Sequence, residues 1–375
     1  MNLLGVHLTL KIGETIPVTA SPFLVEALRS VEVTHSDQGP SGFQLTFQVG
    51  RIGALDLMDY RVVTNPLLKP FNRVIVIVRF AIAPQVLMDG IITNHQLNPS
   101  NEPGASTLTV TGEDVSVMMD LEQKHREFPA VPDYEAVNQI IGCYLKYGLT
   151  LPPEVPLDPE VLNPYNPMYE RPQEPADVTD RTYLQELAQQ YGFVFYVTPG
   201  PLPLSSSVHW GPPERLSIPQ PALSINMGPA TNVESLNFTF DGLRPQRVAY
   251  QTENKHGTVN SPSLSRNIPL AHDRPQARRL TCLISDDDRR VEFLAKGMVD
   301  QSFDEVVTAN GQLDALRYNS LLQPRSLVGV RGAGQTYDGN YYVKSVTHNI
   351  SKGRYTQSFS LSREGTGALL PFVLP

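Results

Sequence analysis

Cysteine is nearly missing from this sequence. Only Cys143 and Cys282 occur among 375 residues, so no disulfide framework holds the chain together, and nothing requires the two to pair. Cys143 lies in an apolar helical pattern and reads as a small buried hydrophobe. Neither cysteine has the surroundings of a catalytic thiol, and no Gly-x-Ser-x-Gly turn offers a serine nucleophile instead. Long apolar runs are missing too. The stretch Val74 to Val78 is strand-sized, far short of the roughly 20 residues a membrane helix needs. The opening Met1-Asn-Leu-Leu-Gly-Val-His7 lacks a basic start followed by an apolar core, so it does not read as a secretory signal. No run of Lys or Arg occurs, and a formal net charge of −8 gives no electrostatic reason to bind nucleic acid. A single tryptophan, Trp210, gives weak support to a carbohydrate-binding or adhesion protein.

Proline, by contrast, is abundant at 33 residues, and together with many β-branched runs it favours strands and turns over long helices. A hydrophobic content of 41% is ordinary for a folded protein, and the length allows two or three domains. Residues 1–112 are strand-rich. Val6, Leu8, Leu10 and Ile12 alternate onto one face, as do Phe43, Leu45, Phe47 and Val49, while Val74 to Phe80 is apolar enough to be covered on both sides. Several short strands at this spacing predict a barrel or sandwich. Asp120 to Phe128 reads as a short helix leading out of it. In residues 113–230 the pattern changes. Asp133 caps a helix with Tyr134, Val137, Ile140, Ile141, Tyr144 and Leu145 on one face, and Gly148 stops it. The proline-rich stretch 151–175 predicts an extended excursion over the surface. Residues 231–375 return to strands, interrupted by a helix after Asp286-Asp287-Asp288. The fold class expected is mainly β with an α/β insertion: two β-rich ends flanking a smaller α+β region.

No constellation of catalytic residues survives comparison with a plainer reading. The run Asp286 to Asp288 could hold a metal, but acidic residues ahead of a helix stabilise its N-terminus without one, and Arg289 and Arg290 follow directly. No calcium-loop or His-Glu-x-x-His pattern is present, and the eight histidines are scattered. Gly332-Ala-Gly-Gln-Thr336 lacks the lysine and following helix of a phosphate loop and reads as a turn between strands. Glu234 and Asp241 could be imagined as a glycosidase pair, but sequence spacing does not set their distance in the fold. The expectation is therefore no cofactor, no metal and no enzymatic activity.

The most telling stretch runs from Asp177 to Val197. Thr179 is a candidate N-cap and Asp180 puts negative charge at the positive end of a helix dipole. Tyr183, Leu184, Leu187, Ala188 and Tyr191 form one apolar stripe. Gly192 suits a left-handed stop, and Phe193 to Val197, centred on Phe195, reads as a buried strand. A second telling stretch closes the chain. Leu322-Gln-Pro324-Arg325-Ser-Leu-Val-Gly-Val-Arg-Gly332 is followed by Tyr337-Asp338-Gly339-Asn-Tyr341-Tyr-Val343 through His348, then by Gly353-Arg-Tyr355 through Leu361. His348 is expected to make a strand-end hydrogen bond.

In wording and spacing these two stretches resemble the late control D family of phages, the baseplate hub proteins of contractile tails. They are related to the hub half of the valine-glycine-repeat spike of type VI secretion. One departure stands out: Arg325 occupies the position where the family's glycine follows proline, so a turn there would have to avoid a positive φ. The resemblance implies two antiparallel, tube-like β-barrel domains, in residues 1–112 and 231–375, around the middle region. It implies a homotrimeric symmetry adaptor that joins a three-fold spike to a six-fold inner tube and contacts other baseplate components, made in the cytoplasm as part of a virion-like particle. No spike domain follows residue 375 in this sequence, so the spike is expected to be a separate polypeptide. Leu369, Leu370, Phe372, Val373 and Leu374 are candidates to dock against it, although a tail packed on its own barrel accounts for the same residues equally well. A glycan- or peptidoglycan-cleaving tail enzyme is the alternative.

Overall fold

The computed structural model describes residues 2–3, 6–50, 60–80, 83–102, 104–126, 128, 131, 133–150, 178–215, 218–250, 252–253, 259–260, 263–264, 276–280 and 288–367. The expected proline-rich excursion, Cys282, Asp286, Asp287 and the apolar C-terminal tail lie outside the described residues.

The first six long strands are β1 (Val6–Gly13), β2 (Leu28–Ser36), β3 (Gly42–Gln48), β4 (Arg73–Phe80), β5 (Ala83–Asn98) and β6 (Thr107–Asp114), and alternation sets β1, β2, β3 and β6. Val6, Leu8, Leu10 and Ile12 of β1 and Phe43, Leu45 and Phe47 of β3 are buried with more exposed residues between them, as a half-buried strand requires. Val74, Ile75 and Val76 of β4 are all buried, so this strand is covered on both faces. Gly112 of β6 is needed where it stands. A Cβ there would lie 2.1 Å from the Ile91 carbonyl oxygen and 2.5 Å from the Phe43 ring.

Among the described residues the middle region holds two α-helices, α1 (Asp133–Gly142) and α2 (Asp180–Gln190), and a hairpin of β7 (Val194–Pro199) and β8 (Ser206–Gly211). Val137, Ile140 and Ile141 of α1 pack with Leu184, Leu187 and Ala188 of α2 and with Phe195, Val197, Val208 and Trp210 of the hairpin. The indole N–H of the buried Trp210 donates to the Leu184 carbonyl at 3.1 Å, so this ring is core and not a glycan platform. Three expectations fail here. No helix forms over Asp120–Phe128: a 3-10 turn at Val115–Met119 is followed by an extended pair, Gln123–Lys124, against Val178–Thr179. Leu145 is 59% exposed, because the helix gives way to a tighter turn that rotates it off the apolar face. Cys143 is exposed, with its thiol turned back to the Gln139 carbonyl.

The C-terminal region contributes β9 (Gln220–Ser224), β10 (Val233–Phe240), α3 (Asp288–Asp304), β11 (Val307–Asp314), β12 (Leu327–Arg331), β13 (Gly339–Ser351) and β14 (Arg354–Arg363). The long strands join into one sheet in the order β1-β4-β5-β6-β3-β2-β13-β14-β11-β10, with β12 on β13 and β9 running parallel to β12. The protein is mainly β, as expected, and among the described residues the sheet forms no closed barrel. The two β-rich ends are continuous through β2 and β13, which pair antiparallel from Ser30 opposite Ser351 to Ser36 opposite Ser345. Ile350 and Tyr355 from the C-terminal strands enter the core of the first region. A separate core lies under Leu313, Val328, Tyr341, Val343 and Phe359.

Candidate functional site

The polar chemistry of the molecule concentrates where β2 and β13 meet. Pro324 and Arg325 lie in the loop entering β12, and the Arg325 N–H donates to the Val343 carbonyl at 2.7 Å while the Val343 N–H donates to the Ser326 carbonyl at 2.9 Å. Arg325 has φ 63, the left-handed conformation that a glycine would take freely. The expected avoidance of positive φ is therefore wrong. Chain direction at this turn is retained with an arginine, and the surroundings explain how. The guanidinium is buried. It donates to the Ser36 carbonyl from Nε at 3.1 Å and Nη2 at 2.7 Å, to Thr198 Oγ1 at 2.8 Å and to Ser41 Oγ at 3.3 Å. Its Cζ lies 3.7 Å from the centre of the Tyr196 ring. One side chain thus ties the C-terminal region to β2 and to β7 of the middle hairpin. Several such contacts offset a strained backbone that alone costs about 1–2 kcal/mol.

Around it the seam is polar and buried. Ser41 N donates to Asp114 Oδ2 at 2.6 Å, and Asp114 also caps the following turn through Ser116 N at 2.9 Å. Burial raises the Asp114 carboxyl, against the hydrogen bonds from Ser116 and Ser41. The His35 Nδ1 atom is 3.1 Å from Ser41 Oγ, and the His35 ring meets the His348 ring edge-on at 5.9 Å. His348 lies within β13, not at a strand end, and its Nδ1 is 2.8 Å from the Tyr355 hydroxyl. Burial lowers His348 to about 4 and also holds His35 well below the usual histidine range, with Arg325 and His348 adding to the effect. Farther along, Asp37 is raised by burial against the attraction of Lys344, Arg215 and Arg325, and its Oδ1 has no hydrogen-bond partner.

A second cluster serves the middle region. Asp180, with no exposed side-chain surface, accepts from Arg126 Nε at 2.9 Å, Lys124 Nζ at 3.1 Å and the Tyr144 hydroxyl at 2.7 Å. Burial works to raise its carboxyl, but the bonds from Arg126, Tyr144 and Lys124 outweigh it and hold it below the ordinary value. Thr179 caps α2 as expected, accepting from Thr182 N at 3.2 Å. Arg181 binds Glu113 at the end of β6 as well as Asp120, and Asp89, gripped by Arg73 at 2.5 and 2.9 Å, accepts from Leu204 N of the hairpin loop at 3.0 Å, so polar contacts also fasten the middle region to the first.

The residues singled out in sequence fall into two groups. Tyr183, Leu184, Leu187, Ala188 and Phe195 build the middle core, and Gly192, with φ 69, ends α2 where it crosses Gly297 of α3. Gly332 and Gly339 take positive φ, Asp338 accepts from Ala333 N at 2.8 Å, and the Tyr341 hydroxyl donates to the Tyr337 carbonyl at 2.7 Å. Pro324, Val343, His348 and Tyr355 gather at the seam. Sequence reasoning missed Ser36, Ser41, Asp114, Tyr196 and Thr198. The only signal for them was indirect, the arginine at a glycine position. Glu234 pairs loosely with Arg354 and Asp241 receives the Leu243 N–H, so neither shows a catalytic arrangement. Among the described residues no group of His, Cys, Asp and Glu could hold a metal ion, and no helix is long and apolar enough to cross a membrane.

No protein-family model and no curated protein matches the chain. Solved structures do. The 43 kDa tail protein of prophage MuSo2 from Shewanella oneidensis superimposes with a TM-score of 0.67 at 12% identity, over 96% of this chain and 98% of that one. The chain has the fold of a phage tail protein. A tail protein from Neisseria meningitidis MC58 matches at 0.61 and 14% identity, over 97% and 98% of the two chains. An Escherichia coli component of the type VI secretion system, described as structurally similar to the T4 bacteriophage tail proteins gp27 and gp5, matches at 0.53 and 13% identity over 93% and 77%. The tail-protein fold thus covers the chain nearly end to end, including the resemblance read at its two telling stretches.

Proposed function

We propose that this protein is the structural hub of the baseplate in a contractile injection machine. Three copies would join a three-fold spike to a six-fold inner tube. The observation that carries the reading is the whole-length match to tail proteins, with almost nothing left over in either chain. A protein with two β-rich ends, residues 1–112 and 231–375, around a middle region 113–230 offers two similar β-sheet surfaces per chain on this reading. Three chains around an axis then present six, which is what adapting three-fold to six-fold symmetry requires. The partners on this reading are two further copies of the chain, a separate spike protein, the tube or its initiator, and other baseplate components. Residues 369–374 offer an apolar segment for the spike. The role is mechanical and not enzymatic, in keeping with the tail proteins that share the fold.

Native mass spectrometry of the chain, alone and co-expressed with a spike protein of the same injection machine, tests the proposal. A trimer, or a complex of three chains with three spike chains, is the expected result. A stable monomer that ignores the spike would overturn it. Release of dye from labelled peptidoglycan, measured on the same preparation, would replace the structural reading with a lytic one.

A further inference from the structure

The seam between β2 and β13 is wired for two neutral imidazoles. Arg325 Nη2 can only donate, so Ser41 Oγ accepts from it at 3.3 Å and keeps its own proton for His35 Nδ1 at 3.1 Å. A neutral His35 can then accept at Nδ1, and the Leu87 backbone on β5 also acts on the ring. His348 is held the same way. The Gln357 amide is oriented by Leu322, whose N–H donates to Oε1 at 3.0 Å and whose carbonyl accepts from Nε2 at 2.9 Å. The same Nε2 lies 3.4 Å from His348 Nδ1, beside the Tyr355 hydroxyl at 2.8 Å, so both neighbours present donors to that nitrogen. A proton added at His348 Nδ1 would face the Gln357 amide, which both bonds to Leu322 hold donor-first, and a proton added to His35 would lie beside the Arg325 guanidinium. The two rings are 5.9 Å apart, and both are buried.

We propose that this seam is an acid-sensitive latch: protonation of His35 and His348 beside Arg325 parts β2 from β13 while the core of the middle region stays folded. The groups facing His35 are Ser41, Arg325, His348 and the Leu87 backbone, with Asp114 behind Ser41; those facing His348 are His35, Tyr355 and Gln357. The one carboxylate in this set, Asp114, is already committed to two backbone N–H groups and makes no bond to either ring. Three positive charges would then share a closed space in which the two carboxylates near Arg325, Asp114 and Asp37, bond to neither ring, and solvent reached through an opened seam is the relief. The opening differs from general acid unfolding because the Asp180 cluster holds its carboxylate charged to lower pH.

Hydrogen–deuterium exchange of the full-length protein at pH 7 and pH 5, corrected for intrinsic exchange, tests the latch. Peptides over 28–36 and 339–351 are expected to lose protection by about tenfold per pH unit per imidazole below the ordinary histidine value near 6.5. Peptides over 181–192, in the helix of the middle core, should not change. Equal loss in both sets, or none in the seam, overturns the proposal. The double variant H35Q and H348Q removes both titrations, so a seam that still opens with acid overturns it as well. Should that variant not fold, carbon-13 histidine spectra of the native protein decide. Two imidazoles must stay neutral, with the proton away from Nδ1, until the seam amides begin to exchange. Two that titrate near 6.5 with the seam closed would end the idea.

Discussion

Two buried charges, Asp180 and Arg325, are handled in opposite ways, and the difference separates a clamp from a joint. Asp180 is fully compensated: two cationic side chains and a tyrosine hydroxyl converge on one carboxylate at a helix N-terminus. Arg325 is bonded to neutral oxygens of Ser36, Ser41 and Thr198 and has its Cζ over the Tyr196 ring, with two histidines nearby that burial keeps neutral. A compensated pair resists separation and tolerates acid. A guanidinium held by carbonyls and hydroxyls holds geometry well, but the nearby carboxylates Asp114 and Asp37 bond neither to it nor to the two rings that a second proton would charge. The middle region is therefore built to stay shut, and the seam between the β-rich ends is built with narrower tolerance.

The contrast can be broken from either side. Removing the carboxylate, Asp180→Ala, leaves Lys124 and Arg126 facing a half-buried site without a partner, and should destabilise the protein by about 3–5 kcal/mol in urea unfolding. Acidification should act on the seam instead. His348 is neutral and held at about 4 in the folded state against an ordinary 6.5. The unfolded chain therefore binds the proton first, and stability present above pH 6.5 is lost as pH falls toward 4. That single group contributes about 3 kcal/mol over the window, and His35 acts in the same direction. Asp180 has the opposite sign, since its folded carboxyl is depressed. Its contribution holds above the ordinary carboxyl value and disappears only as pH falls through the folded one. Urea midpoints recorded from pH 7 down to pH 3 should show the histidine loss first. A single loss below pH 4 would contradict the comparison.

Arg325→Ala sharpens the contrast with a smaller effect. It removes the bonds to Ser36, Ser41 and Thr198 but keeps the left-handed backbone, for an expected loss of about 2–3 kcal/mol. Arg325→Gly should recover about 1 kcal/mol of that, because only the side-chain contribution is missing. If the two variants are equally stable, the positive φ carries no strain. Least of all, Thr179→Ala removes the cap of α2 and should lower stability by about 1 kcal/mol, with no change in the pH profile.

Much of this was legible from local pattern. The alternation of Val6 to Ile12 and Phe43 to Phe47, the cap at Thr179, the stripe from Tyr183 to Tyr191 and the stop at Gly192 each depend on neighbours within a few residues, and each formed as read. The misreadings came where a distant partner overruled the local signal. Asp120 to Phe128 has helical composition, but Gln123 and Lys124 pair with Val178 and Thr179, more than fifty positions on. Arg325 was read to avoid a positive φ because intrinsic propensity says so. Bonds to residues nearly three hundred positions away in sequence hold it there.

The sequence by itself determined a mainly β protein with a capped helix–strand unit in its middle, because periodicity, caps and glycine stops act over one or two turns of chain. Tertiary structure alone decided that the two β-rich ends share one sheet, and that Arg325, His35, Ser41 and His348 meet at their junction. That meeting is set by pairing β2 with β13 in one register, and a slip of one residue would turn every one of the paired side chains to the opposite face.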